Sequence, residues 1–295
     1  MERVTGLAPR FCLYILVFGT AWESAAETNR MIQQLQLPDW LDNCIFGDLS
    51  AKYCRSKSDM QVIDWDKNDL LNYLGTYFPR SYAEAYCIYS DYFQNNIDVW
   101  GSREELSVFD FGCGTGGEIV GLLMAVNDNL PNVKAVSVLP FDGNQDALKL
   151  FEKVAKQLKA HISFELRYRV LPFVVEDFYD LSVLDGVLGK YDIIMSFKAI
   201  CEFVSKERFE QCNAYAHISK CLLPRLTPGG IMLLVDVTTY SSVSQEWLPR
   251  MIDSGLAQSD AVVVSQNSGY NQSFYVSHSH CKEDKSKVAW RIITN

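Results

Sequence analysis

The stretch "VFDFGCGTGGEIVGLL", residues 108–123, places four glycines between two apolar runs. The residues before the glycines predict a strand, and the residues from Glu118 to Leu123 predict a helix. Gly112, Gly114, Gly116 and Gly117 therefore predict a turn whose backbone approaches something closely. Glycine clusters also form plain turns, so this pattern alone leaves both a ligand-binding loop and an ordinary turn open.

The chain that follows this stretch predicts an α/β fold. From Ser107 onward, apolar β-branched segments alternate with segments of helical periodicity, which is typical of a parallel sheet with crossover helices. We predict a doubly wound, seven-stranded, mostly parallel sheet that ends in an antiparallel edge hairpin. The predicted strands lie near residues 107–111, 133–141, 170–176, 191–196, 231–237, 260–265 and 286–293. The predicted helices lie near residues 116–127, 144–158, 206–226 and 244–254.

Residues 1–105 lack this alternation and predict an N-terminal helical extension, whereas residues 106–295 form the predicted α/β domain. Pro38, Pro79 and a polar loop are expected to break the extension into segments. Its aromatic residues recur at helical spacing, which fits core packing or a substrate cage. They are Tyr77, Phe78, Tyr82, Tyr86, Tyr89, Tyr92 and Phe93.

Composition narrows the function classes. The chain has 295 residues, 48% hydrophobic content and a formal net charge of -9, so no broad basic face is expected and DNA is not an expected partner. A local basic patch remains open. The nine cysteines are odd in number and contain no CxxC pair, which indicates neither a zinc site nor a disulfide framework. Reduced thiols in a cytoplasmic protein are the simplest interpretation.

The N-terminus offers a second interpretation of location. Arg3 and Arg10 precede an apolar run over residues 11–18, and small residues follow at residues 24–26. This run is too short to span a bilayer, so no membrane span is predicted. A secretory signal or anchor within residues 1–26 is the alternative to a packed helix in a cytoplasmic protein.

The D-x-G-x-G-x-G pattern from Asp110 to Gly116 resembles motif I of class I S-adenosylmethionine-dependent methyltransferases. The resemblance implies a Rossmann-like methyltransferase fold and S-adenosyl-L-methionine as cofactor. It also implies that the turn Gly112, Cys113, Gly114 and Gly116 passes close to the methionine part of the cofactor. Asp110 would hold the amino end.

Later segments extend the resemblance over roughly residues 105–295. "AVSVLPFDGNQDAL" (135–148) places Asp142 where the family grips the ribose hydroxyls, although Asp142 also suits a turn or helix cap. "FVVEDFYDL" (173–181) supplies Asp177 and Phe178 for the adenine, although Asp177 also suits a turn cap. "KYDIIMSFKAICEF" (190–203) resembles the fourth strand and the loop after it, where Ser196, Phe197 and Lys198 would face the transferable methyl group of the cofactor. "LLPRLTPGGIMLLVDVTT" (222–239) resembles the family's fifth strand.

A general base is needed only when the acceptor arrives protonated. The candidates near the expected pocket are Lys198, Glu202 and Asp236, and no motif assigns any of them. Lys198 and Glu202 also fit a solvated helix start. Tyr82 and Tyr86 of the extension are candidate lid residues, and a lid would shield the methyl donor from water.

A narrower resemblance concerns "LNYLGTYFPRSYAEAYCIYSDYF", residues 71–93. It is similar to the helix that precedes motif I in the small-ribosomal-subunit methyltransferase-like family linked to mitochondrial ribosomes. Members of that family carry a cysteine cluster suited to a metal centre. Here only "SHSHC", residues 277–281, combines His278, His280 and Cys281. These are too few ligands for a closed site, so the segment is interpreted as a polar hairpin loop, with a metal site as the alternative.

The sequence therefore predicts an S-adenosylmethionine-dependent methyltransferase that transfers a methyl group by in-line displacement. A small molecule or a protein is the favoured acceptor, because the chain is acidic. The alternatives are an rRNA-type RNA methyltransferase and a non-catalytic subunit that binds S-adenosylmethionine. The sequence names neither the acceptor nor the oligomeric state.

Overall fold

The computed structural model describes residues 33–55, 66–186, 188–204 and 212–295. The proposed signal or anchor within residues 1–26 lies outside these ranges. So does the start of the helix predicted over residues 206–226. None of the described helices has an apolar run long enough to cross a bilayer.

The described residues fold into a central, largely parallel sheet flanked by helices, which confirms the predicted α/β class. The strands are β1 (Gln34–Gln36), β2 (Glu105–Phe111), β3 (Ala135–Asp142), β4 (Glu165–Tyr168), β5 (Leu171–Pro172), β6 (Tyr191–Phe197), β7 (Leu226–Val237), β8 (Tyr240–Ser241), β9 (Glu246–Trp247), β10 (Val262–Gln266), β11 (Gln272–His278) and β12 (Cys281–Thr294). The α-helices are α1 (Asp39–Asp42), α2 (Lys67–Asn95), α3 (Ile97–Trp100), α4 (Gly117–Asn129), α5 (Gln145–Leu158), α6 (Ala214–Leu222) and α7 (Leu248–Leu256). A π-helix spans Asn43–Asp48, and 3₁₀ turns span Ser182–Leu184, Ile200–Phe203 and Leu223–Arg225.

The sheet order is β1-β11-β12-β7-β6-β2-β3-β4. β4, β3, β2, β6 and β7 are mutually parallel, and β12 runs antiparallel to both β7 and β11. The chain winds outward from β2 through β3 to β4, and from β6 to β7 on the other side. The boundary between β2 and β6 is therefore the topological switch point, beside which open α/β sheets bind ligands.

The two faces of the sheet are covered differently. Phe109 and Phe111 of β2 belong to a buried cluster with residues of α6 and α7. Successive side chains of a strand point to opposite faces, so Asp110 lies on the other face. There Tyr89 of α2 reaches Met195 of β6, with its hydroxyl 3.6 Å from the sulfur.

The long helix α2 packs directly on α4. Its N-cap is Asp66, whose carboxylate accepts hydrogen bonds from Asn68 N and Asp69 N. Gly121 of α4 lies so close to α2 that a Cβ there would be 2.4 Å from the Tyr82 carbonyl oxygen. The glycine therefore permits the close approach of the two helix backbones.

Three predicted elements need correction. Pro79 does not break the extension, because α2 runs through it from Lys67 to Asn95 and buries it. The predicted third strand near residues 170–176 is instead the pair β4 and β5, and Pro172 lacks the N–H group that a longer strand would use. The predicted edge hairpin is β11 with β12, but β1, which lies within the predicted helical extension, pairs parallel with β11 on its outer side. β10 pairs with the carboxyl-terminal part of β12.

Candidate active site

The tips of the parallel strands bring most of the predicted site residues to one edge of the sheet. Asp110 is the penultimate residue of β2, and Asp142 is the last residue of β3. Ser196 is the penultimate residue of β6, and Asp236 that of β7. Because these strands are parallel, their carboxyl ends lie at the same edge.

The glycine turn has the backbone that its sequence predicts. Gly112, Gly114 and Gly116 have φ angles of +76°, +49° and +78°, in the left-handed region that favours glycine. Gly112 N and Cys113 N donate hydrogen bonds to the Phe141 carbonyl at 2.8 and 3.0 Å, which holds the turn against β3.

Side chains of the protein itself pack over this turn. A Cβ on Gly112 would lie 2.5 Å from Ala199 Cβ, and one on Gly114 would lie 2.9 Å from the Tyr73 hydroxyl oxygen. A Cβ on Gly116 would lie 2.3 Å from the Phe151 ring. The glycines are thus explained by the packing of the protein alone, so they do not by themselves indicate a cofactor. The chemical argument rests on the acids beside them.

Asp110 is the most unusual of these acids. Its side chain is fully buried, and neither carboxylate oxygen has a hydrogen-bond partner among the described residues. Burial, with added repulsion from Glu118 and Asp142, raises the pKa of Asp110 well above its ordinary value. An unpaired buried carboxyl is costly and calls for a compensating group. A ligand that brings an ammonium group to the β2 tip would supply it.

Asp142 is bound to the turn rather than free. Its Oδ2 accepts a hydrogen bond from Gly114 N at 2.7 Å, and its Oδ1 accepts one from Asn144 N at 2.7 Å. Burial raises its pKa, although both hydrogen bonds oppose the shift. The N-cap of α5 is Asn144 and not Asp142. Each carboxylate oxygen retains a second acceptor site, so Asp142 can still accept hydroxyl groups.

The two residues predicted to hold the adenine already have partners within the protein. Asp177 Oδ1 accepts a hydrogen bond from Tyr179 N, so the acid caps a turn. The Phe178 ring is buried and stacks on Phe203, with ring centroids 4.6 Å apart. The structure therefore places Phe178 within the apolar core.

The candidate bases are in different environments. Asp236 is buried and accepts hydrogen bonds from the Tyr215 hydroxyl and from Cys201 N. Burial raises its pKa. Glu202 is exposed. Ser196 Oγ donates to the Phe111 carbonyl at 2.9 Å, which joins β6 to the tip of β2.

Lys198 points into the site and not into solvent. It follows β6 with a φ of +56°, which is uncommon for a residue with a Cβ. Its Nζ lies 2.7 Å from Glu84 Oε2, and the side chain of Glu84 on α2 is fully buried. The ion pair thus connects the loop after β6 with the N-terminal helix.

The predicted lid residues face α4 rather than the turn. Tyr82 is buried where its backbone contacts Gly121. The Tyr86 hydroxyl donates to Asp128 Oδ2 at 2.9 Å, and burial with this acid raises the pKa of Tyr86 to about 12. Phe78, Tyr89, Tyr92 and Phe93 are also buried, which favours core packing over a substrate cage.

Three site residues escaped the sequence reasoning. Tyr73 and Glu84 lie on α2, and Glu118 lies in the first turn of α4. Glu118 is 4% exposed, and burial raises its pKa to about 8, while Lys198 opposes and Glu84 increases that shift. The only signal in the sequence was the position of Glu118 directly after the glycine turn. Its burial could not be predicted, because acids on helices usually face solvent.

The "SHSHC" segment does form a hairpin turn, between β11 and β12. His278 is nevertheless buried, and its Nε2 lies 3.7 Å from Asp284 Oδ2. Arg80 of α2 makes a two-point contact with the same carboxylate. In the part of the chain that the structure describes, no group of three or more His, Cys, Asp or Glu residues is arranged to hold a metal.

No protein-family model matches the sequence, and no curated protein matches it significantly. The fold is similar to a putative RNA methyltransferase from Pyrococcus horikoshii, at 11% identity over 86% of this chain and 98% of that one, with a TM-score of 0.44. It is similar to a putative class I S-adenosylmethionine-dependent methyltransferase from Listeria monocytogenes, at 10% identity, 74% and 60% coverage and a TM-score of 0.42. A precorrin-6y C5,15-methyltransferase from Geobacter metallireducens matches at 12% identity, 68% and 85% coverage and a TM-score of 0.40.

Proposed function

We propose that this chain is an S-adenosyl-L-methionine-dependent methyltransferase. The observation that carries the proposal is Asp110, a buried carboxyl without a partner among the described residues, at the tip of the strand beside the switch point. An acid in this position fits the ammonium group of the cofactor. A dinucleotide pyrophosphate, being an anion, would gain no counter-charge from it.

In this proposal the residues of the chain chiefly bind and orient. Asp110 holds the amino end of the cofactor, and Asp142 accepts the ribose hydroxyls with the acceptor sites that Gly114 N and Asn144 N leave open. Asp177 and Ser196 complete the binding residues. The cofactor supplies an activated methyl group, so the protein has only to hold donor and acceptor in line.

The domain division belongs to the same proposal. Residues 106–295 would bind the cofactor, and residues 1–105 would cover it through α2, whose Tyr73 lies over Gly114.

A cytoplasmic location is supported by the eight cysteines of the described residues, all of which are free thiols.

A small molecule or a protein remains the favoured acceptor. The formal net charge of -9 supports it, since RNA binding depends on phosphate contacts. Among the candidate bases, Asp236 is engaged by Tyr215 and Cys201, and Lys198 is paired with Glu84. Direct attack by an acceptor that is already nucleophilic needs neither group.

One observation favours a second candidate, a non-catalytic subunit that keeps the fold. Tyr73, Ala199 and Phe151 pack on the glycines, as they would in a turn without a ligand. Fold alone does not imply chemistry.

Incubation of the protein with methyl-labelled S-adenosylmethionine and a cell extract divided into RNA, protein and metabolite fractions separates these functions. Label in the protein or metabolite fraction is the expected result. Label in RNA would contradict the acceptor assignment. Cofactor binding without label in any fraction would favour the non-catalytic subunit.

A further inference from the structure

Four carboxyl groups are buried together at the candidate site. They come from different elements: Glu84 from α2, Asp110 from β2, Glu118 from α4 and Asp142 from β3, and none is more than 8% exposed. Asp110 feels the charges of Glu118 and Asp142, and Glu118 feels those of Glu84 and Asp142. The four groups therefore form one electrostatic cluster.

Among the described residues, Lys198 is the one permanent cation at this cluster. The Lys198 ammonium lies 2.7 Å from Glu84 Oε2 and also favours the ionised form of Glu118. Glu84 Oε1 and both oxygens of Asp110 have no hydrogen-bond partner among the described residues. Buried oxygens in this state point to a missing positive or donating group.

The other titratable groups that the structure describes around the cluster are neutral near pH 7, among them Cys87 of α2, whose pKa burial and Glu84 raise to about 12. Tyr73 and Tyr89 approach it from α2, and Cys113 approaches it from the turn. Burial and the neighbouring acids raise the pKa of all three well above their ordinary values. One lysine does not offset four carboxylates, and burial raises the pKa of both Asp110 and Glu118, which favours their protonated forms in the ligand-free protein.

We propose that Glu118, together with Asp110, makes the site select for the positive charge of the methyl donor over its demethylated product. The inference rests on the proposed function. Asp110 and Glu118 release protons to solvent when a ligand carrying ammonium and sulfonium charges binds near them. After methyl transfer the sulfonium becomes a neutral thioether, and the carboxylate left without its counter-charge takes a proton back from solvent. Glu118 is thereby a specificity-determining residue that favours donor binding and product release.

Calorimetric titration of the full chain with S-adenosylmethionine and with S-adenosylhomocysteine tests this inference. The wild type is expected to bind the donor more tightly, because only the donor brings the second positive charge. Glu118→Gln should weaken donor binding by about tenfold, the equivalent of one charged hydrogen bond, and product binding by less than about twofold. Glu283→Gln changes an exposed glutamate on β12 and should alter neither affinity.

Proton release provides a second readout that survives if Glu118→Gln fails to fold. Titrations of the wild type in two buffers of unequal ionisation enthalpy give the number of protons released on binding. More protons should be released with the donor than with the product, and Glu118→Gln should remove most of that difference. Equal proton release for the two ligands, or equal losses of affinity in the variant, would overturn the inference. Absence of binding of both ligands would overturn the proposed function itself.

Discussion

The burial of Glu118 makes the stability of the folded protein depend on pH. Its pKa rises from an ordinary value of 4.5 to about 8, chiefly through burial. Between these values the unfolded chain releases the proton while the folded chain keeps it. The folded state is therefore destabilised as pH rises through this range.

The first prediction follows from that sign. The free energy of unfolding of the ligand-free wild type should fall relative to Glu118→Gln as pH rises from about 5 to about 8, on the order of 1 kcal/mol per pH unit. Above about 8 the difference should level off. Urea denaturation of both proteins at several pH values measures it, and parallel profiles for the two would contradict the assignment of this proton.

Asp142 stabilises the glycine turn through its hydrogen bonds, in addition to its proposed role in cofactor binding. Replacement by Ala leaves Gly114 N and Asn144 N without their acceptor, so we expect a loss of about 1–3 kcal/mol in unfolding free energy. Cofactor affinity should fall by a similar amount in calorimetry. A fully stable Asp142→Ala protein would contradict the hydrogen bonds described here.

Gly114→Val would be a poor test of the cofactor-binding turn. The sequence predicts that the valine would clash with the methionine part of the cofactor. In the structure its Cβ would also meet Tyr73 at 2.9 Å, and the φ of +49° disfavours any side chain. Loss of cofactor binding in that variant would therefore not distinguish a direct clash from a distorted turn.

At the scale of elements, the contact between α2 and α4 holds the N-terminal helix over the site. Gly121→Ala would bring a Cβ within 2.4 Å of the Tyr82 carbonyl oxygen, and the helices would have to separate. We expect a loss of about 1–3 kcal/mol in unfolding free energy. Gly189→Ala is the matched control, since a Cβ there would have no neighbour within 4 Å. Equal stability of the two variants would rule out this close packing.

The elements also show where sequence reasoning works. The segments that became β2, α4, β3, α5 and β6 are strongly periodic, and the structure places each within a few residues of its predicted bounds. Pro79 predicted a break because proline lacks an N–H group, yet packing on α4 keeps α2 continuous. The sequence predicts no strand at β11, whose polar end belongs to the segment interpreted as a hairpin loop, although the burial of its residues alternates as in a strand.

The site residues, too, fall into those that the sequence predicts and those that it does not. Asp110 and Asp142 were predictable because each stands at the end of an apolar strand. Tyr73, Glu84 and Glu118 were not, since their burial depends on how α2 docks against α4 and the turn. That docking is a property of tertiary packing, which no local pattern contains.

At the scale of the whole molecule, the acids at the two ends of the parallel strands differ in their hydrogen-bond partners. Asp110 is buried and unpaired at the edge where the parallel strands end. Asp192, near the start of the neighbouring strand β6, is fully paired. It accepts hydrogen bonds from Arg103 Nη1 at 2.5 Å, Ser107 N at 2.8 Å and Thr227 Oγ1 at 2.7 Å. We infer that the first is kept for a ligand and the second for stability.

Calorimetric titration of Asp110→Asn and Asp192→Asn with S-adenosylmethionine, beside the wild type, separates those duties. Asp110→Asn should bind at least about tenfold more weakly and unfold at no lower urea concentration, because the change removes a buried unpaired acid. Asp192→Asn should bind within about twofold of the wild type and unfold more readily. Unchanged affinity in Asp110→Asn, or no binding by the wild type, would contradict the assignment of this site.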